Sequence, residues 1–195
     1  TLVVLTPAIP ADHKEWAWFR EQGFRMEKRS QMLGHLSEGK MVMAVAGTHG
    51  KTTTSTLAAW LNSAAAGEGS AFLGGISTNF ASNLVLGEGR RLVVEADEYD
   101  RSFLRLWPDV AVITATDADH LDIYGTAEAM VEAFEQFASQ IKEGGSLILK
   151  QGVAFHFDTK GRNLYRYSCD DGGDFHAENI RLIEGGHYRY DIVLP

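Results

Sequence analysis

Gly47-Thr48-His49-Gly50-Lys51-Thr52-Thr53 stands between an apolar run, Met41 to Ala46, and a segment of helical character, Thr54 to Ala66. The order is strand, glycine loop, helix. Gly47 and Gly50 leave room for backbone N–H groups to turn inward on a phosphate, and the helix that starts there adds the positive end of its dipole. Lys51 supplies a movable cation, and Thr52 a hydroxyl suited to a magnesium ion bridging phosphates. The stretch therefore reads as a triphosphate cradle, with Gly47, Thr48, His49, Gly50, Lys51, Thr52 and Thr53 as its nucleotide-contacting candidates. Two residues separate the glycines where a standard phosphate loop has four, so only the Gly-Lys-Thr end matches that pattern. The plainer alternative, a threonine-rich turn, needs neither the lysine nor the hydroxyl in this register.

Downstream, the same design recurs. Arg91 to Val94 reads as a buried strand, and at its carboxyl end stand Glu95, Asp97, Glu98 and Asp100. Acidic residues there, beside a phosphate loop, suit magnesium; four so close together repel unless a cation compensates, and the alternative is a charged surface loop. Val110 to Thr114 is a further strand, followed by Thr116-Asp117-Ala118-Asp119-His120-Leu121-Asp122. His120 between carboxylates is suited to a metal or to phosphate chemistry, because carboxyl ends of neighbouring parallel strands converge on one crevice. Thr126 caps an expected helix whose Met130, Phe134, Phe137 and Ile141 line one side, with Gly144-Gly145 as its stop. Ser146 to Leu149 is another strand. Beyond Lys150 the runs 164–167, 179–183 and 188–193 predict an antiparallel extension, with turns at Asp171-Gly172-Gly173 and Glu184-Gly185-Gly186.

Between the cradle helix and the acidic strand, Ala71 to Leu73 predicts a strand running into a flexible loop at Gly74-Gly75. Ser77 to Asn83 reads either as a substrate-contacting loop or as a solvated connection. Before the cradle, Leu2 to Leu5 predicts a buried strand, Thr6 to Pro10 a proline-stiffened turn, and Trp16 with Phe19 a helix stopped at Gly23. A short strand at 24–26, a helix from Ser30 to Ser37 and a loop at Glu38-Gly39-Lys40 complete this part, with a domain boundary near Lys40. The fold class is thus α/β: a mostly parallel, phosphate-loop type of sheet flanked by helices, with a small antiparallel extension at the C-terminal end.

Composition narrows the function. A formal charge of −8 with scattered lysines and arginines argues against nucleic-acid binding. No apolar run approaches membrane-spanning length, and no signal peptide opens the chain, so no membrane partner is expected. Cys169 is the single cysteine, which suits a reducing cytoplasm. The chain starts at Thr1 and opens directly into an apolar run, as though cut from something longer.

GTHGKTT at 47–53, EADEYD at 95–100 and DADHLD at 117–122, in that order, resemble the Mur ligase family, its alanine-adding branch in particular. The resemblance runs over most of the chain. It implies an ATP- and magnesium-dependent amide ligase with UDP-N-acetylmuramate and L-alanine as substrates: a nucleotide-sugar carboxylate takes the γ-phosphate of ATP, and an amine then displaces phosphate. It implies that Lys51 neutralises the transferred phosphoryl group, that Thr52 and Glu95 hold one magnesium, and that His120 holds a second; Lys51, Glu95 and His120 are the implied catalytic residues. The resemblance further implies, for several related ligases, a carbamylated lysine about fourteen residues past the histidine; here Phe134 stands there, so that role does not transfer. The family pattern further implies that residues 1–40 end a nucleotide-sugar-binding domain, that 41–195 form an incomplete central ATP-binding domain, and that the amino-acid-binding domain is absent. The rival within the family joins a tripeptide to the same nucleotide sugar. Outside it stand a different phosphate-loop phosphotransferase or hydrolase, which predicts a standard loop and a strand-terminal aspartate, and a non-catalytic nucleotide-binding module, which needs no histidine–acid cluster.

Overall fold

The computed structural model describes residues 1–6, 9–10, 12–67, 69–117, 121–153, 155–169 and 172–195. Strands β1 (Leu2–Leu5) and β2 (Arg25–Lys28) flank helix α1 (Lys14–Glu21), and helix α2 (Arg29–Ser37) follows. Next come β3 (Met41–Ala46), α3 (Lys51–Ala66), β4 (Ser70–Ser77), β5 (Ser82–Val85), β6 (Arg91–Glu95), a 3-10 turn at Tyr99–Arg105 and β7 (Val110–Ile113). Then α4 (Leu121–Tyr124), α5 (Ala127–Ser139), β8 (Ser146–Lys150), β9 (Asn163–Ser168), β10 (Phe175–Ile183) and β11 (His187–Val193) complete the chain.

Among the described residues, nine strands form one sheet in the order β11-β10-β9-β8-β7-β3-β6-β4-β5, while β1 and β2 pair in parallel as a separate ribbon. β3 is central. It runs parallel to both β6 and β7, so Val45 pairs with Glu95 on one side and with Val112 on the other. The expected class holds: the sheet is mostly parallel, with antiparallel pairing at its C-terminal end.

Two local expectations are corrected. The antiparallel extension starts one strand later than expected, since β9 pairs parallel with β8 and, at Tyr167 and Ser168, parallel with β10; only β11 reverses there. Side chains alternate with a period of two in either direction, so the run pattern carries no information on strand sense. Gly74-Gly75 lie inside β4 instead of in a flexible loop, and Ser82 and Asn83, taken into the polar connection, begin β5. A register irregularity between Phe72 and Ser77 accommodates the glycines.

Strand alternation divides the core between two layers. Leu92 and Val94 of β6 join Ala44, Ile113, Leu147 and Leu149 against α5, whose Met130, Phe134 and Phe137 are fully buried. Val93 faces the other way and packs with Ala59 of α3 and Ala71. Thr126 caps α5 by accepting from Ala129 N at 3.2 Å, as its position before the apolar stripe requires. Ion pairing and close packing join the α2 region to the 3-10 turn that follows β6: Lys28 Nζ lies 2.6 Å from Asp100, and Gly34 sits where an added Cβ would be 2.9 Å from Arg105 O. No helix among the described residues is long and apolar enough to cross a membrane.

Candidate active site

The loop after β3 is shaped by what surrounds it. Gly47 has a φ of 126°, and an added Cβ would collide with Thr114 Oγ1 and come within 2.8 Å of Ala115 N, so only glycine fits. Thr48 N donates to Ala115 O at 3.1 Å, and Thr114 Oγ1 lies within hydrogen-bond distance of both Ala46 O and His49 O. The end of β7 therefore clamps the loop. Gly50, with a φ of 80°, is the N-cap of α3 and offers no side-chain cap. The first N–H groups of that helix are left for a ligand or water. Thr48 Oγ1 is buried with no partner among the described residues, a donor that a phosphate oxygen would satisfy.

Lys51 Nζ donates to Gly47 O at 2.8 Å and to Glu98 Oε1 at 2.8 Å. Thr52 Oγ1 donates to Glu95 Oε1 at 3.0 Å, while Ser55 Oγ at 3.3 Å and Gly74 N at 2.8 Å donate to Glu95 Oε2. Gly74 has no room for a Cβ, which would fall 2.5 Å from the Glu95 carboxyl carbon. Lys51, Thr52 and Glu95 thus share the rim formed by the carboxyl ends of β3 and β6. A cleft of about 280 Å³ opens beside Glu95, lined by Thr6, Arg29, Ser30, Asp97 and Ser102.

Two of the four acids in the acidic run find their compensating cation within the chain. Glu98 turns inward, is 0 % exposed and is neutralised by Lys51, whereas Asp100 pairs with Lys28. Asp97 Oδ1 accepts from Tyr99 N at 3.1 Å. Lysines of the chain supply the compensating charge for two of the four acids, and Glu95 is the one presented to Thr52. Behind this run, Tyr124 OH donates to Glu98 O at 2.6 Å. Burial and then the Glu98 carboxylate push the Tyr124 pKa up from 10.0 to about 12.

Of the other candidates, His49 is exposed, as are Thr53, Asp117 and Asp122. His120 lies outside the described residues, together with Ala118 and Asp119. Phe134, the position weighed against a lysine role, is 0 % exposed and packs edge-on to Phe103, so it belongs to the core. The residues that support the site without having been singled out are Gly74, Ser55, Thr114 and Tyr124. Gly74 carried a signal, an unexplained Gly-Gly pair after an apolar run. The others carried none, because their roles arise from contacts across the sheet.

A family profile described as Mur ligase middle domain matches residues 45–190. Over its whole length the chain is 52 % identical to a UDP-N-acetylmuramate--L-alanine ligase of Phocaeicola vulgatus, covering 43 % of that protein. It is 48 % identical, again over its whole length, to a protein of the same name from Parabacteroides distasonis, covering 42 %. The chain thus spans under half the length of these relatives. Among solved structures, a UDP-N-acetylmuramate:L-alanyl-gamma-D-glutamyl-meso-diaminopimelate ligase from Neisseria meningitides superposes with a TM-score of 0.82 at 21 % identity, covering 99 % of this chain and 64 % of that one. A UDP-N-acetylmuramate-alanine ligase from Thermotoga maritima superposes with a TM-score of 0.77 at 24 % identity, over 93 % of this chain and 41 % of that one. At these identities the structural likeness is one of fold.

Proposed function

The chain belongs to the Mur ligase family, and from that membership we propose that the whole protein is an ATP-dependent ligase joining L-alanine to the carboxylate of UDP-N-acetylmuramate. The observation that carries this reading is the meeting of Thr52 and Glu95 at 3.0 Å beside the Lys51 loop. The names of relatives at 52 % and 48 % identity support alanine as the amine over a tripeptide. Residues 1–40 are read as the end of a nucleotide-sugar-binding domain and 41–195 as part of the central ATP-binding domain, with the amine selected by a domain outside this chain. The free thiol of Cys169 suits a cytoplasmic setting.

Each residue has a task in this scheme. The backbone N–H groups of 47–53 and the start of α3 hold the phosphates, and Lys51 offsets the negative charge that collects when a carboxylate approaches a triphosphate. The Thr52 hydroxyl and the Glu95 carboxylate are hard oxygen donors on one rim, a set that fits magnesium, which takes one or two protein oxygens and completes its shell with phosphates and water. Magnesium would supply neutralisation of the phosphate oxygens there. Gly74 and Ser55 keep the Glu95 carboxylate facing that point. His120 is assigned to a second ion on the family pattern alone. The cleft with Arg29 offers a cation for an anionic second substrate. A carboxylate oxygen takes the γ-phosphoryl group with release of ADP to give an acyl phosphate, and the amine nitrogen then attacks the acyl carbon, expelling inorganic phosphate and losing a proton to give the amide.

The test is product analysis with the full-length protein, UDP-N-acetylmuramate, ATP and magnesium, offering alanine and the tripeptide in parallel. The alanyl product is expected, and Lys51→Ala should abolish it. Preference for the tripeptide, or ATP hydrolysis with no amide from either amine, would overturn the proposal.

A further inference from the structure

We propose that Glu98 is a positioning residue for Lys51: its buried carboxylate tethers the ammonium before a nucleotide arrives, and the ion pair persists in the nucleotide complex. This rests on the reading of the 47–53 loop as a nucleotide site. Lys51 Nζ has three N–H bonds; Glu98 Oε1 takes one at 2.8 Å and Gly47 O a second at 2.8 Å. With two directions set, the third is set as well. The cation is aimed in advance and needs no reorganisation when phosphate binds.

Burial favours the tether. Glu98 is 0 % exposed and the Lys51 side chain 15 %, so the carboxylate has the ammonium beside it in place of bulk solvent. Removing one partner of a buried ion pair strands the other charge, which is strongly unfavourable. A phosphate that drew Lys51 away would leave the Glu98 carboxylate in that condition; the phosphate therefore shares the ammonium instead of capturing it. The backbone around Glu98 carries a second sign of a built position. Asp100 and Arg101 both adopt left-handed conformations, with φ of 53° and 54°, which non-glycine residues hold only when their surroundings demand it. Here Lys28 holds Asp100 at 2.6 Å, and the Arg101 guanidinium sits 5.5 Å from the Tyr124 ring centroid. Arg101 N and Tyr124 OH both donate to Glu98 O, at 2.9 and 2.6 Å. Strain in the turn accompanies a Glu98 side chain that faces inward while its neighbour Tyr99 is exposed.

The test uses the full-length protein with Glu98→Gln, which keeps the volume and one acceptor but removes the charge. Turnover should fall about tenfold or more, while affinity for a non-hydrolysable ATP analogue stays within about threefold. Acylation of Lys51 by an amine-reactive activated ester, read by mass spectrometry against the other lysines, should accelerate about fivefold or more once the tether is lost. Unchanged Lys51 labelling overturns the proposal, as does a loss of analogue affinity equal to the loss of turnover. A measurement on the unaltered protein stands beside these: in a crystal structure with magnesium and the analogue, Lys51 Nζ should remain in hydrogen-bond reach of Glu98, and an ammonium that has left it refutes the tether. If the alanine-ligase reading fails, the unaltered protein makes no alanyl product or prefers the tripeptide, whereas labelling and the crystal structure report on the tether whichever amide is formed, or none.

Discussion

Glu95 owes its orientation to an atom that is missing. Gly74 leaves the space its carboxylate fills and donates a backbone N–H at 2.8 Å, so a methyl group at position 74 would both displace the carboxylate and weaken that bond. Gly74→Ala in the full-length protein is expected to lower magnesium-dependent turnover about 10- to 100-fold, the range found for residues that orient metal-binding groups. A magnesium titration checks it, and an unchanged midpoint with unchanged turnover speaks against the assigned role of Glu95. Tyr124 makes a pH-dependent contribution of definite sign. Its pKa is raised from 10.0 to about 12, so the folded protein retains the phenol proton longer than the unfolded chain does. The stabilisation is fully present below pH 10 and is lost as pH rises from there toward about 12. Denaturant unfolding across that interval should show stability declining, with a shallower decline in Tyr124→Phe; identical slopes would remove the effect.

Helix α5 illustrates how far a linear pattern reaches. Its cap at Thr126 and its stripe of Met130, Phe134 and Phe137 were legible in advance, because spacings of three and four put those side chains on one face. What they pack against was not. Phe103, from a 3-10 turn that no periodicity announced, stacks on Phe137 at 5.0 Å and meets Phe134 edge-on at 5.3 Å. Phe134→Ala should therefore cost about 3–5 kcal/mol, the usual loss for a fully buried aromatic. Chemical denaturation of the variant measures this. A loss below about 1 kcal/mol would mean that Phe134 is not a core residue and reopen a site role for the position. The acidic run shows where that reach ends: its composition called for a compensating cation without saying which, and Glu98 and Asp100 are answered by Lys51 and Lys28, which lie 47 and 72 residues away in the chain.

For the molecule as a whole, the arrangement of β6, β3 and β7 side by side makes a site from segments distant in sequence. The rim between them holds Lys51, Thr52, Glu95 and Thr114 in hydrogen bonds to one another or to the loops that follow β3 and β6. Magnesium and a non-hydrolysable ATP analogue are accordingly expected to raise the melting temperature of the 195-residue chain. At a ligand concentration a hundredfold above its dissociation constant the gain is about 2.7 kcal/mol. Differential scanning fluorimetry reads it directly. Lys51→Ala should abolish the shift, and a shift of equal size in that variant would mean the nucleotide binds elsewhere.

Before any folding is considered, the chain declares its phosphate loop, its parallel-sheet class and the helix that covers the sheet, because each rests on neighbours within a few residues of one another: Gly47 to Thr53, the apolar runs, the stripe of α5. Strand sense at β9 and β10, the place of Gly74-Gly75 inside β4, and the inward turn of Glu98 belong to the tertiary structure. They depend on what lies across the sheet, and a partner that meets a side chain only after the chain has closed on itself leaves no mark on local spacing.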